Sequence, residues 1–147
     1  VTLRVEVHAA PGVDPPVPVQ RLEGVVREVL RAEKCGDAEV SLALVGDSMM
    51  VELNRRYLGK GEATDVIAFS LHDEGEAPVG DLYVGVDQAR RQAREHGVTP
   101  EEETLRLAVH ATLHLLGWDH PDQERERSPM YRRQEELLAG FTAAPTP

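Results

Sequence analysis

The apolar positions of the chain fall into alternating and helical runs separated by turn residues. From Thr2 to His8, Leu3, Val5 and Val7 alternate with polar neighbours, which predicts a strand with one buried face. Four prolines between Pro11 and Pro18 predict a loop. Leu22, Val25, Val26, Val29 and Leu30 then recur at helical spacing, and Gly36 stands where that helix would close. Val40, Leu42 and Leu44 alternate with Ser41 and Ala43 as a second strand. Gly46 turns the chain, and Asp47 or Ser48 can cap a second helix, on which Met50, Leu53, Asn54 and Tyr57 share a face.

Beyond a turn at Gly59 to Glu62, the run Asp65 to Leu71 is apolar on both faces and predicts a third strand. His72 to Gly80 reads as an acidic loop with His72 in solvent. Leu82, Val84 and Val86 predict a fourth strand, and Asp87 to His96 a short helix that Gly97 ends. Thr99, Pro100 and Glu102 make a helix start with a capping hydroxyl, proline at the first position and a capping-box acid. That helix runs to about Leu116, with Leu105, Ala108, Val109, Thr112, Leu113 and Leu116 toward the core. Ser128 and Pro129 open a last helix that ends near Gly140, and residues 141–147 read as a disordered tail. The expected architecture is α+β: one small four-stranded mixed sheet packed by about five helices, in a single domain over residues 1–147.

Composition narrows the class. With 41% hydrophobic residues the chain can bury a core without staples, and its single cysteine excludes an internal disulfide and a cysteine-rich zinc module. Cys35 reads as a small core residue. No apolar run approaches the ~18 residues of a membrane span, and no charged-then-apolar leader opens the chain, so a cytoplasmic protein is expected. The formal charge of −10 opposes general nucleic-acid binding, DNA included. An RNA contact would have to come from a local basic patch.

The chemistry concentrates in Val109 to His120, VHATLHLLGWDH, which holds three of the six histidines. His110 and His114 are four apart, so a helix puts both on one face. Gly117 can end the helix in the left-handed conformation and let the chain bring His120 back toward them. Three converging imidazoles with a fourth position open are the layout of a catalytic, zincin-like zinc site, although nickel, copper or iron also suit imidazole. Neutral ligands leave the ion's +2 charge intact, so water it holds loses a proton more readily. The spacing matches the metzincin proteases, but their general-base glutamate is Ala111 here, which opposes peptide hydrolysis by that route. Asp119, beside the third histidine, can orient an imidazole, act on water, or simply bond the turn's backbone.

HATLHLLGWDH resembles the H-G-x-L-H-L-x-G-Y-D-H motif of the YbeY endoribonucleases. Leu53-Asn54, Tyr57, Gly59-Lys60, Thr64-Asp65-Val66 and Phe69 are similar to that family's L-N-x-x-Y-R-x-K-x-x-T-D-V-L-S-F block. Gly80-Asp81 opening a strand, and Met130 with Glu135 or Glu136, also fit, so the likeness covers roughly the C-terminal two thirds. The resemblance implies a metal-dependent endoribonuclease acting on single-stranded RNA in 16S rRNA 3′-end maturation and ribosome quality control. The small ribosomal subunit and its proteins would be its partners, and His110, His114 and His120 its zinc ligands.

Two departures matter: the family's small glycine after the first histidine is Ala111, a modest change, and the arginine that follows the tyrosine is Leu58 here. A guanidinium can hold a phosphate bidentately, and leucine cannot. Leu58 can instead extend the apolar face of Met50, Asn54 and Tyr57. Arg55, about one turn earlier, is the first candidate to supply the catalytic cation beside His114 and Asp119, with Arg56 and Lys60 behind it. Arg90, Arg91 and Arg94 either track an RNA backbone or face solvent. Two other classes stay open: an RNA-binding assembly factor with little catalysis, and a zincin-type metalloprotease.

Overall fold

A computed structural model describes residues 2–59, 61, 64–121 and 123–142. Seven-residue alternation makes β1 (Leu3–Ala9), with Val5 buried and Arg4 and Glu6 exposed. The order continues α1 (Val19–Ala32), β2 (Ala38–Val45), α2 (Asp47–Leu58), β3 (Val66–Ser70), β4 (Val79–Gly85), α3 (Val86–His96), α4 (Pro100–Leu115) and α5 (Pro129–Thr142). A single 3-10 turn, Arg125–Arg127, precedes α5. The four strands form one sheet in the order β1-β2-β4-β3. β1 and β4 run parallel to β2, and β3 runs antiparallel to β4, so the sheet is mixed.

Strand alternation divides the core between the two faces of the sheet. Val40, Leu42, Leu44, Leu82 and Val84 pack with buried residues of α1, α3, α4 and α5. Ala43, Val45 and Ile67 face the other way and pack with Met50 and Leu53 of α2. The arrangement is the expected α+β sheet with five helices, four on one face and one on the other.

α4 is the central helix. It packs against α1, α3, α5 and strands β3 and β4. Ten of its sixteen residues are buried, from Glu103 to Leu115. The start is as the sequence predicts: Pro100 at the first turn, and Thr99 Oγ1 accepting the Glu102 N–H at 3.1 Å. Glycine at Gly80 lets this helix approach the sheet. A Cβ there would come well inside 3.0 Å of both Leu115 Cδ1 and the Phe69 carbonyl oxygen.

Several local readings differ from the structure for tertiary reasons. α1 stops at Ala32, and Lys34 rather than Gly36 takes the left-handed conformation at φ 62°. Neither Asp47 nor Ser48 caps α2. Gly46 is its N-cap residue, and Asp87 from α3 accepts the Asp47 N–H at 2.8 Å. Val86 begins α3 instead of ending β4, and β4 starts three residues before Leu82. His72 is not a solvated side chain: its Nδ1 accepts the Val79 N–H at 3.0 Å and closes the loop between β3 and β4. Leu58 does not pack; it is 53% exposed. Phe141 and Thr142 belong to α5 rather than to a tail, and residues 143–147 lie outside the described residues, as does Lys60.

Two predictions follow from these contacts. Gly80→Ala should lower Tm by roughly 5 °C or more, because overpacking against backbone costs ~2 kcal/mol and the Phe69 carbonyl cannot swing aside. Calorimetry checks it, and an unchanged Tm would mean that α4 is not seated against β4 at this point. The second concerns Asp47, whose carboxyl is held below the usual carboxylate range by hydrogen bonds from Arg91 at 2.8 and 2.9 Å. A depressed carboxyl stabilises the fold above its unfolded pKa of ~3.9, and the contribution is lost as pH falls through the folded value. Since the pair is partly solvated, Asp47→Asn should cost below about 1 kcal/mol at pH 7 and less at ~pH 2.5, measured as a narrowing gap in Tm.

Candidate metal centre

α4 and the turn that ends it place the three histidines. His110 and His114 lie one turn apart on the same face, with ring centroids 4.6 Å apart. The helix then ends in a Schellman turn. Gly117 sits at φ 99°, its N–H donates to the His114 carbonyl at 3.0 Å, and the Trp118 N–H donates to the Leu113 carbonyl at 3.0 Å. That reversal carries His120 back until its ring centroid is 5.2 Å from His110 and 5.0 Å from His114. One ring nitrogen from each histidine lies within 4.8 Å of the others, so the cluster could hold a metal ion. Around a tetrahedral ion ligands at ~2.1 Å sit ~3.4 Å apart, a modest further closure.

The donor set suits that role. Each imidazole has its Nδ1 at an oxygen that can only accept: His110 at Gln134 Oε1, 2.5 Å, His114 at the Trp118 carbonyl, 3.1 Å, and His120 at the Pro121 carbonyl, 3.0 Å. An acceptor-only oxygen puts the proton of each neutral ring on Nδ1, and Nε2 then keeps its lone pair for an ion. Burial pushes the His110 pKa down to about 4, against the smaller upward pull of the Gln134 hydrogen bond. Burial, followed by the neighbouring His120, lowers His114 as well. Both rings are thus held in the neutral form that binds metal.

Beside the histidines opens a cleft of about 830 Å³, lined by His110 and His120 together with Asp65, Gln92, Arg125 and Tyr131 among others. Arg106 also lines it but is held protonated by Glu135 and Glu103, with Glu102 as a third carboxylate partner. The Gln92 side-chain amide oxygen, Oε1, is buried in this wall with no hydrogen-bond partner among the described residues. Asp119 lies in the turn, where its exposed carboxylate accepts the His120 backbone N–H at 2.8 Å. Arg55 is exposed on α2 and paired with Glu52 at 3.7 Å, and it does not line the cleft. Arg91 is engaged with Asp47 and Gln88, and Arg90 donates to the Asp14 carbonyl. Cys35 packs partly buried against the core, and burial pushes its thiol up, so it is an unactivated thiol.

Asp65, Gln92 and Gln134 were not legible as site residues. Asp65 falls in the T-D-V block quoted above, which gave it no role, and Gln134 left a signal of its own. It is a polar residue on the buried face of α5 formed by Met130, Leu137 and Leu138.

A mixed four-stranded sheet with three histidines on its central helix and the following turn defines an α+β domain built around a candidate metal site. Comparison with known proteins narrows the class. Residues 14–142 match the family model for Endoribonuclease YbeY. The Endoribonuclease YbeY of Geobacillus thermodenitrificans is 38% identical over 135 residues, which cover 84% of this chain and 86% of that protein. That of Pelotomaculum thermopropionicum is 42% identical over 125 residues, covering 80% of this chain and 82% of the relative. The solution structure of TM1509 from Thermotoga maritima superimposes with a TM-score of 0.67 at 27% identity, covering 95% of this chain and 89% of that one. The chain belongs to the YbeY endoribonuclease family.

Removing one imidazole should abolish tight metal binding. Wild type loaded with zinc and passed through a desalting column should retain one equivalent by elemental analysis, and His114→Ala well under half. Equal zinc in both would show that these rings are not the ligands.

Proposed function

We propose that this chain is a zinc-dependent endoribonuclease that cuts single-stranded RNA, with 16S rRNA 3′-end maturation on the small ribosomal subunit as its task in the cytoplasm. Membership of a family of endoribonucleases supports the activity. The observation that carries the metal is the common commitment of three Nδ1 atoms to oxygen acceptors, which leaves the Nε2 lone pairs free in a cluster whose ring nitrogens lie within 4.8 Å of one another. Zinc, when bound, would supply Lewis-acid polarisation of a phosphoryl oxygen and of water.

The rest falls to the chain. His110, His114 and His120 hold the ion, and Asp119 keeps the turn that presents His120. The Asp65 carboxylate is committed through Oδ1 to the Val66 N–H, and its Oδ2 takes a long 3.4 Å contact from Gln92. That oxygen stands in the cleft as acceptor for the proton of an attacking water. The phosphate needs a cation. Arg55 is one source, if its Glu52 partner yields, and Arg125, exposed in the cleft wall, is the other. Peptide hydrolysis has little support, because Ala111 is fully buried in the core where the proteases need a carboxylate.

The test is cleavage of single-stranded RNA and of casein by purified protein, with and without chelator. RNA should be cut, chelator should stop it, and casein should survive. RNA cleavage that resists chelator, or casein cleavage, overturns the reading. An absence of cleavage with tight RNA binding would instead support an assembly factor. Because Leu58 is exposed, Leu58→Arg adds a cation with little cost in stability and should raise the cleavage rate toward the ~hundredfold that one transition-state charge contact supplies. Arg55→Ala and Arg125→Ala identify the cation in use: its loss lowers the rate by a similar factor.

A further inference from the structure

We infer that Gln134 is a positioning residue for the metal site: its amide oxygen fixes the tautomer and the orientation of His110. The inference rests on the reading that the three histidines hold zinc. A neutral imidazole can carry its proton on either nitrogen, and only the Nδ1–H form offers Nε2 to the other two histidines. His114 and His120 are set by backbone carbonyls. His110 is set by a side chain from another helix, across 24 residues of sequence.

A glutamine can turn its amide either way, and the two ends impose opposite tautomers. With the oxygen toward His110, Nδ1 donates. With the NH2 group toward it, Nδ1 would have to accept, and the proton would move to the nitrogen the ion needs. The structure holds the first arrangement by a defined chain. Gln134 Nε2 donates to Glu135 Oε2 at 3.0 Å, and a carboxylate can only accept. Glu135 in turn takes two hydrogen bonds from Arg106, at 2.9 and 3.1 Å. Glu103, 1% exposed, anchors the same guanidinium at 2.8 Å. Arg106 and His110 are four apart on α4, so α5 bridges two points on one face of the ligand-bearing helix. Gln134 itself is only 4% exposed, which leaves solvent little chance to compete for either end of the amide. Its neutrality also matters, since a second carboxylate next to Glu135 would repel it.

Gln134→Leu keeps the volume and removes the acceptor. Gln134→Glu keeps an acceptor oxygen at the same reach. Two readouts are needed, both without substrate: the tautomer of His110 in the metal-free protein from long-range proton–nitrogen correlations, and Zn²⁺ affinity by competition with a chelator of known affinity. Wild type should show His110 protonated at Nδ1. Gln134→Leu should lose that signature and bind Zn²⁺ some 10- to 100-fold more weakly, the usual effect of removing a ligand's hydrogen-bond partner. Gln134→Glu should keep the Nδ1–H signature, with an affinity between those of Gln134→Leu and wild type, because the second carboxylate is repelled by Glu135. A purely structural glutamine would lower the Tm of the metal-free protein and leave affinity and tautomer unchanged, and that pattern overturns the inference. Should Gln134→Leu fail to fold, Glu135→Gln lets the amide turn without emptying the site and should shift the same tautomer signal; no shift overturns the inference as well. Wild type that takes up no Zn²⁺ overturns the metal reading, whereas the tautomer measurement judges Gln134 on its own.

Discussion

α4 is buried almost all round, and every polar group on it must find a partner inside the protein. Thr104 and Thr112 turn their hydroxyls back onto the carbonyls of Pro100 and Ala108, each at 2.7 Å. Glu103 is neutralised by Arg106. What remains is a strip of residues spaced by four, Arg106, His110 and His114, along the side that meets α5 and the cleft. The packing that makes the helix rigid also forces each imidazole to commit one nitrogen. A site that needs three rings in one tautomer and one orientation is therefore placed where burial leaves them little freedom.

The electrostatics of the chain work against a broad nucleic-acid surface. Most arginines near the site are spent on internal pairs: Arg91 on Asp47, Arg106 on three carboxylates, and Arg133 on Glu33 and Glu136. With a formal charge of −10, the field around the molecule repels phosphate at long range. Any RNA contact must then rest on short-range interactions, and in the cleft neutral hydrogen-bonding groups outnumber unpaired cations among the described residues. The side-chain amide oxygen of Gln92, without a partner among the described residues, fits such a wall. It can accept from a hydroxyl or an amino group and has nothing to offer a phosphate, which carries only acceptors.

Much of this was legible in the sequence because the controlling signals are local. The spacing of His110 and His114, the helix start at Thr99-Pro100 and the left-handed Gly117 each act within one or two turns, and each is present. Alternation marked three of the four strands, and a run apolar on both faces marked β3. The readings that failed turn on residues distant in sequence. Asp87, forty positions away, takes the capping role given to Asp47 or Ser48. His72 finds its partner in Val79 across a loop. Leu58 continues an apolar face in projection, yet the helix ends there and no element among the described residues covers it. Sequence periodicity reports which face of a helix is apolar, not how far the neighbouring layer extends.

The same distinction separates the three histidines. Trp118 and Pro121 orient His114 and His120 through carbonyl groups of the peptide chain, so their side chains can change without removing the acceptor. His110 depends on one side chain, and that side chain is in place only if α5 is docked. Met130, Leu137 and Leu138 bury the helix against the core, and Arg133 ties it to Glu33 at the end of α1. Glu33 also accepts the Trp118 indole N–H at 2.6 Å, which joins α5 to the turn that presents His120. α5 carries none of the three histidines, yet its seating holds Gln134 against His110 and braces the His120 turn through Glu33. The candidate metal site is therefore a property of the packed domain, more than of the eleven residues that contain its histidines.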